Sequence, residues 1–534
     1  MEEKRIMEQR GRWNSRLTFI LAAVGSAVGL GNAWRFPGLM AAHGGGAFLF
    51  AYLIALFAMG IPLLMMEIAI GRKVHGGALR GLASLNKLNK PVAWAATANA
   101  FLIVTYYAIV FAWVLMMAGN SFRFAGMTGD TEAASSLFFE LIETTGDTTG
   151  WSQWPVMVIA FGVLAWGLIY FCIRDGANSV GKVVKYTVFG PVILMIIMAI
   201  KGFTMPNTGA AMAKLFIPEW NKLLDTGLWV DAVGQVFYSL SVVMAIMFAY
   251  GSYLDDKTNI AVDSVIIALS DVFCSILSSI VMYTTMGGVG MLDDMSSSGV
   301  ATAFKIYPQA IVSLTGSGVF NAIFGFIFYL CLVTLAIDSA FSIIEGVSVS
   351  LATYFGWKQK KVTITVCICC AVISLIYMNG AGLAVLDIVD HYLNQINMIL
   401  IGVLECIAVA WMFDSKKVLV EVNKNTNKFK APKWWFVTSL KFVTPILLGG
   451  LFVVNMYELI SNGGMYGAAD GYSAWANILF GWGFSILVLG SGIVAGLILR
   501  RRDKKVVIPA WDELDDMTDE EKNAPTLVSR SSGE

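Results

Sequence analysis

Four polar stations interrupt apolar stretches of this 534-residue chain: "SAVGLGNAWRFP" from Ser26, "GQVFYSLSVVM" from Gly234, Asp271 in "SDVFCSI" and Asp338 in "LAIDSAFS". Carboxylates inside apolar segments are costly and mark functional sites by default. The glycine- and asparagine-rich stretch cannot stay a regular helix at little cost, and loose backbone at membrane depth is tolerated only where it lines a protein cavity. Unwinding near Ala27–Gly31 would end one half-helix in free carbonyls, which suit a hard cation. It would start the next half with free N–H groups, which suit a carboxylate. The pattern therefore reads as ion and substrate binding by main-chain dipoles. Asp271 and Asp338 as an acid/base pair of an intramembrane enzyme are the alternative, but no nucleophile or metal-ligand cluster and no catalytic domain accompanies them. "CICC" near Cys370 has no His or carboxylate companion and reads as small packing residues.

The elements that must hold these stations are membrane helices. The chain is 57% hydrophobic and 14% charged, against about 25% charged in soluble domains. Twelve apolar spans are predicted, near 17–40, 46–71, 92–118, 155–173, 179–201, 231–254, 260–287, 317–352, 362–379, 393–413, 434–459 and 475–499, each able to cross a ~30 Å core. The N-terminus is polar, without a signal peptide. Basic residues cluster in alternate connections, whereas 119–154 is acidic, which predicts both termini in the cytoplasm of a multi-pass protein of the plasma (inner) membrane. The 288–316 segment reads as an external loop with short helices, and the chain after Arg502 as a flexible polar tail. A net charge of zero gives no sign of a nucleic-acid partner. The partners expected are the lipid bilayer and a small molecule. The first and sixth spans carry the two interruptions, and interrupted spans in corresponding positions point to an inverted repeat with a midplane site.

The run "RWNSRLTFILAAVGSAVGLGNAWRFPGLMAAHGGGAFLFAYLIALFAMGIPLLMMEIAIGR" resembles the first two helices of the neurotransmitter:sodium symporter family, in its bacterial leucine-transporter-like branch. The likeness continues through "TYYAIV", "GQVFYSLS", "YGSY", "LAIDSAFSIIEG" and "FVTP", over roughly residues 10–500. It implies an all-α polytopic membrane protein. Two inverted five-helix repeats (17–201 and 231–413) would be joined by an external connection (202–230). Two extra helices follow (414–500), with helices 1 and 6 broken at mid-membrane. Residues 1–16 and 501–534 would be the cytoplasmic ends. The implied activity is sodium-driven uptake of amino acids or amines by alternating access, not catalysis.

By the same resemblance one sodium site uses Ala27, Asn32, Ser239 and Asp271 with the substrate's carboxylate. A second uses Gly25, Val28, Leu335, Asp338 and Ser339. The substrate pocket is Ala27, Gly29, Leu30, Gly31, Ile103, Tyr107, Tyr238, Ser239, Ser241, Met244, Ser339, Ser342 and Ile343. Arg35 and Asp390 would pair as the outer gate under a lid of Tyr107 and Tyr238. Arg10, Trp13 and Tyr253 match the inner gate. Glu67, Glu345 and Glu405 are expected to be structural.

Departures sharpen the reading. The family's amine carriers have aspartate where this chain has Gly29, so the expected substrate brings its own carboxylate. Ile103, Met244 and Ile343 make its side-chain end apolar, which predicts a neutral hydrophobic or aromatic amino acid. The family's acidic partner for Arg10 is replaced near Thr353. No glycine lies near Val243, which leaves the shape of the second break open. Tyr52, Gln235, Ser239 and Ser275 reproduce the family's chloride ligands, but Asp271 replaces an asparagine beside them. Its fixed charge predicts chloride-independent transport, a chloride-dependent carrier being the alternative.

Overall fold

In the computed structural model, which describes residues 11–295, 298–425, 429–502, 508–517 and 522, the described residues form helices and turns without strands. The long apolar runs become helices because a helix satisfies its own backbone groups in hydrocarbon. In chain order they are α1 (Arg16–Ala27), α2 (Gly31–Ala42), α3 (Gly46–Val74), α4 (Lys87–Met127), α5 (Val156–Ile173), α6 (Ala177–Phe203), α7 (Thr226–Ser239), α8 (Ile246–Ser252), α9 (Ile260–Gly288), α10 (Gly318–Phe355), α11 (Gln359–Tyr377), α12 (Gly382–Ala410), α13 (Lys433–Ser461) and α14 (Ala474–Gly496). Among the described residues ten helices are long and apolar enough to cross a membrane, and α1 with α2, bent by 55°, makes an eleventh span. The sixth of the twelve expected spans falls on α7 and α8, of 14 and 7 residues. At 1.5 Å per residue neither half crosses ~30 Å alone.

The most apolar window of α4 is 83% buried, against 28% in α13 and α14. The core is therefore built on α4, which packs along α10, and the last two long helices are peripheral.

The two breaks have different causes, local at the first and distant at the second. Ser15 caps α1 by accepting from the Thr18 N–H, and α1 ends where Val28 turns extended (φ −78°, ψ 91°). Leu30 is already helical, and α2 opens with a wide π turn, Gly31–Arg35. The α7–α8 break is sharper: Ser241, Val243 and Ala245 have φ of 53°, 64° and 61°. Left-handed backbone costs a non-glycine residue about 1–2 kcal/mol, and a β-branched valine there is a true outlier. Three anchors hold the segment. Glu67 of α3 accepts a 2.6 Å hydrogen bond from the Val243 N–H. Ser241 Oγ donates to the Ser26 carbonyl at the end of α1, 2.8 Å away. Gly346 of α10 presses against the turn, and a Cβ there would lie 3.0 Å from the Ala245 carbonyl carbon and the Ile246 nitrogen. The second break thus forms without a local glycine, held by hydrogen bonds and packing from three other helices.

The face bearing the chain's start is closed. Trp13 Nε1 donates to the Tyr250 carbonyl at 3.0 Å, and its ring meets Tyr250 and Tyr253 edge-on at 5.3 and 5.7 Å. Arg16 pairs with Asp263, whose side chain is fully buried. On the same face Arg72 is buried against Glu421 at 2.8 Å. Part of the tail expected to be flexible is docked there. Trp511 is 4% exposed, its N–H donates to the Ser84 carbonyl, and its ring meets Phe413. Lys73 pairs with Asp515, and Lys417 with Asp512. An aromatic anchor flanked by two ion pairs outweighs the polar composition that suggested disorder. The expected external loop does hold short helices, among them Tyr307–Ser313.

Candidate substrate and ion site

The two breaks face each other. Ser241 on one strand of unwound chain and Ser339 on α10 both donate to the Ser26 carbonyl, at 2.8 and 3.3 Å. The end of α1 is thereby tied to the middle of the α7–α8 break and to α10. Across the α1–α2 break the Gly29 N–H donates to Asn32 Oδ1 at 3.0 Å, and the Asn32 N–H to the Gly29 carbonyl at 3.2 Å. Asn32 thereby folds the loosened turn back onto its own side chain.

Between the breaks lies a cavity of about 450 Å³. Twelve of the thirteen expected pocket residues line it: Ala27, Gly29, Leu30, Gly31, Ile103, Tyr107, Tyr238, Ser239, Ser241, Met244, Ser339 and Ile343. Ser342 does not. It sits one turn deeper, donating to the Asp338 carbonyl at 2.6 Å and sharing a 2.6 Å hydrogen bond with Tyr250. Gly29 is tightly covered, since a Cβ there would be 2.8 Å from Ser339 Oγ and 3.6 Å from the Tyr107 hydroxyl. The cavity continues past Arg35, Asp390 and Asp387 to Tyr466, so it reaches the face opposite Trp13.

Asp271 is the polar centre of the site and fully buried. Its carboxylate accepts from Asn32 Nδ2 at 2.6 Å, from Ser239 Oγ at 2.7 and 2.8 Å and from the Tyr52 hydroxyl at 3.0 Å. Asn32 Nδ2 also reaches Ser275 Oγ at 2.8 Å. The carboxylate thus takes up donors from α2, α3 and α7 at once. Gln235 lines the main cavity, and its buried Oε1 has no hydrogen-bond partner.

A second, much smaller cavity of about 10 Å³ lies behind α1, lined by Gly25, Val28, Thr187, Leu335 and Asp338 among others. A void that size holds about one water-sized particle. Asp338 Oδ1 is buried without a partner, and a Cβ on Gly25 would come within 2.5 Å of Asp338 Oδ2. An orphaned carboxylate oxygen in a one-particle void, kept open by a glycine, suits a small cation. Ser339, the fifth residue expected there, lines the main cavity instead.

The gates differ from expectation. Arg35 and Asp390 share the cavity, but the ion-pair partner of Arg35 is Asp231 of α7, with Nη2 3.9 Å from Oδ1. Asp390 Oδ1 instead accepts from Asn394 Nδ2 at 2.7 Å. Asp231 escaped notice because an acid near a helix start reads as an ordinary dipole partner. On the other face Trp13 and Tyr253 meet, while Arg10 lies outside the described residues. Thr353 accepts from the Gly77 N–H at 3.2 Å, and the partner that reasoning missed on this face is Asp263 with Arg16. Glu345 accepts from Tyr253 and Gln359, and Glu67 braces the second break. Both carboxylate oxygens of Glu405 are buried without a hydrogen-bond partner.

This architecture matches known proteins. The model of the sodium:neurotransmitter symporter family covers residues 10–129 and 130–501. An uncharacterized sodium-dependent transporter of Methanocaldococcus jannaschii is 30% identical over 511 residues, 94% of this chain and 99% of that protein. The sodium-dependent neutral amino acid transporter B(0)AT3 of Mus musculus is 27% identical, covering 88% and 87%. The crystal structure of MhsT in complex with L-phenylalanine superposes with a TM-score of 0.69 at 26% identity, covering 84% of this chain and 100% of that one. With its broken helices, its shared cavity and a family match along almost its whole length, this chain belongs to the sodium:neurotransmitter symporter family and is a sodium-dependent transporter.

Proposed function

We propose that the protein takes up a neutral, hydrophobic or aromatic amino acid together with sodium, without chloride, across the plasma membrane with both termini in the cytoplasm. The observation that carries this reading is the buried Asp271 carboxylate, gathered by Asn32, Ser239 and Tyr52. It supplies a negative charge, when sodium is bound, where a cation and a substrate carboxylate must meet. The substrate's carboxylate would face the start of α2 and Tyr107, and its side chain Ile103, Met244 and Ile343. The covered Gly29 leaves no room for an acidic side chain that could replace the substrate's carboxylate. Sodium travels as co-substrate at two places. One is beside Ala27, Asn32, Ser239 and Asp271. The other is in the small cavity by Gly25, Val28, Leu335 and Asp338. With Trp13 closing the opposite face, the cavity corresponds to a state open toward the outside. The neutral amino acid transporter B(0)AT3 and the phenylalanine in MhsT agree with this substrate class.

A chloride-dependent carrier is the second reading. Tyr52, Gln235, Ser239 and Ser275 are all present, and relatives such as the taurine transporter of Bos taurus are described as sodium- and chloride-dependent. The test is uptake into proteoliposomes of each neutral amino acid, with sodium or choline outside and chloride or gluconate as anion. Uptake that needs sodium and persists in gluconate supports the proposal. Uptake that stops in gluconate supports the second reading.

A further inference from the structure

The mouth of the cavity holds a three-residue arrangement that the gate described above does not use. His43, which closes α2 through its N–H to the Leu39 carbonyl, places Nε2 2.7 Å from Asp231 Oδ2. Its ring is stacked on Phe48 of α3, 5.8 Å away at 15°, so it is held rather than free to turn. The other oxygen of Asp231 faces Arg35 Nη2 at 3.9 Å. The Arg35 guanidinium also lies over the Tyr238 ring, 5.4 Å from its centre. All three side chains are largely covered, at 28% (Arg35), 33% (Asp231) and 12% (His43) exposure.

The placement of the partners gives this arrangement a consequence. Asp231 stands on α7, the helix that already packs beside α2, so an Arg35–Asp231 pair closes nothing. Asp390 stands on α12 across the cavity, and only a pairing with it draws the mouth shut. Resting on the transport reading above, we infer that Asp231 is a second, competing acceptor for Arg35, and that His43 sets its strength, so that acid on the cavity side favours closure over substrate.

The electrostatics are simple. Protonated His43 neutralises Asp231 and leaves Asp390 as the carboxylate available to Arg35. Neutral His43 leaves Asp231 its full charge, and Asp231 keeps Arg35 on the open side. Histidine is the side chain whose charge ordinarily changes between about pH 5 and 8. The other charged groups near His43 do not duplicate it. Glu219 and Lys222 pack against Gly44, and Lys214, whose carbonyl abuts Gly45, is paired with Asp293. Phe48 is what α3 presents to the ring, and Asp390 faces Arg35 from α12.

The experiment is initial-rate uptake into proteoliposomes with the internal pH fixed and the cavity-side pH stepped from 5.5 to 8, in the parent, His43→Gln and Asp231→Asn. Sodium-dependent uptake at a single pH tests the transport reading. The change of KM with external pH tests this inference separately. For partly exposed charges the expected effect is a two- to fivefold lower KM at the acid end, of the size of a weak ion pair of about 1 kcal/mol or less. In His43→Gln the KM should not change with pH. In Asp231→Asn it should rest at the parent's acid value throughout. A purely structural His43–Asp231 contact would lower activity or stability without removing the slope. A flat parent profile overturns the inference, as does a His43→Gln or Asp231→Asn protein that keeps the parent's slope.

Discussion

Replacing Asp271 with asparagine probes the centre of the site with almost no change of shape. The carboxylate is met by Asn32 at 2.6 Å, Ser239 at 2.7 Å and Tyr52 at 3.0 Å. An anion using Tyr52 and Ser239 as donors would therefore lie within hydrogen-bonding range of the same carboxylate. Two like charges about 4 Å apart at an effective dielectric of 20 repel by about 4 kcal/mol, and each 1.4 kcal/mol is tenfold in affinity. The parent should thus disfavour chloride by about a thousandfold relative to Asp271→Asn. The same charge attracts sodium, so without chloride the variant should lose sodium affinity on a similar scale. The assay is sodium-driven uptake in chloride and in gluconate, with sodium activation curves in each. The expected result is a parent indifferent to the anion and a variant active only in chloride. A parent that stops in gluconate refutes the reasoning, and so does an active variant that ignores chloride.

Three further outcomes follow from other parts of the site. Gly25→Ala puts a Cβ 2.5 Å from Asp338 Oδ2, which should abolish the second sodium site; the sodium dependence of uptake should lose cooperativity, and an unchanged Hill coefficient would count against that site. Glu67→Ala removes the acceptor of the Val243 N–H, and leaving that buried donor unpaired should cost about 1–3 kcal/mol, seen as a lower unfolding midpoint in detergent; a midpoint equal to the parent's would mean the left-handed turn stands without that brace. The amine made by decarboxylating the best substrate should bind at least about a hundredfold worse, the scale of two charge-assisted hydrogen bonds; equal binding in a competition assay would remove the carboxylate from the site.

The first break was legible because its causes are local: Gly25, Gly29, Gly31 and Asn32 within eight residues announce loose backbone, and Asn32 closes the turn. The second was not, because its cause is distant. Val243 is left-handed because Glu67, 176 residues earlier in the chain, takes its N–H and Gly346 lets α10 press close. Local propensity argues against such a turn. Twelve pocket residues were reachable through the family resemblance, whose motifs match this chain at those positions, and the structure brings them to one cavity. Ser342 lies three residues from Ser339, and only the rotation of α10 decides which hydroxyl enters the cavity. The partner of Arg35 depends on which of two acids the helices bring nearer, and order along the chain does not say. The docked tail was hidden because Trp511 is one aromatic residue in a polar stretch, and its receptor is assembled from segments near residues 73, 84 and 413.

That docking also bears on how the protein is made. Lys73 and Asp515 are 442 positions apart, so the first is synthesised long before the second exists. At about 5–20 residues per second the interval is roughly 20–90 s. The surface formed by Lys73, Ser84 and Phe413 is complete only once Phe413 is made, and it then stays without its cover, available to chaperones or to neighbouring chains, until Trp511 follows 98 residues later. Trp511, Asp512 and Asp515 thus join segments near residues 73 and 84 to the one near residue 413.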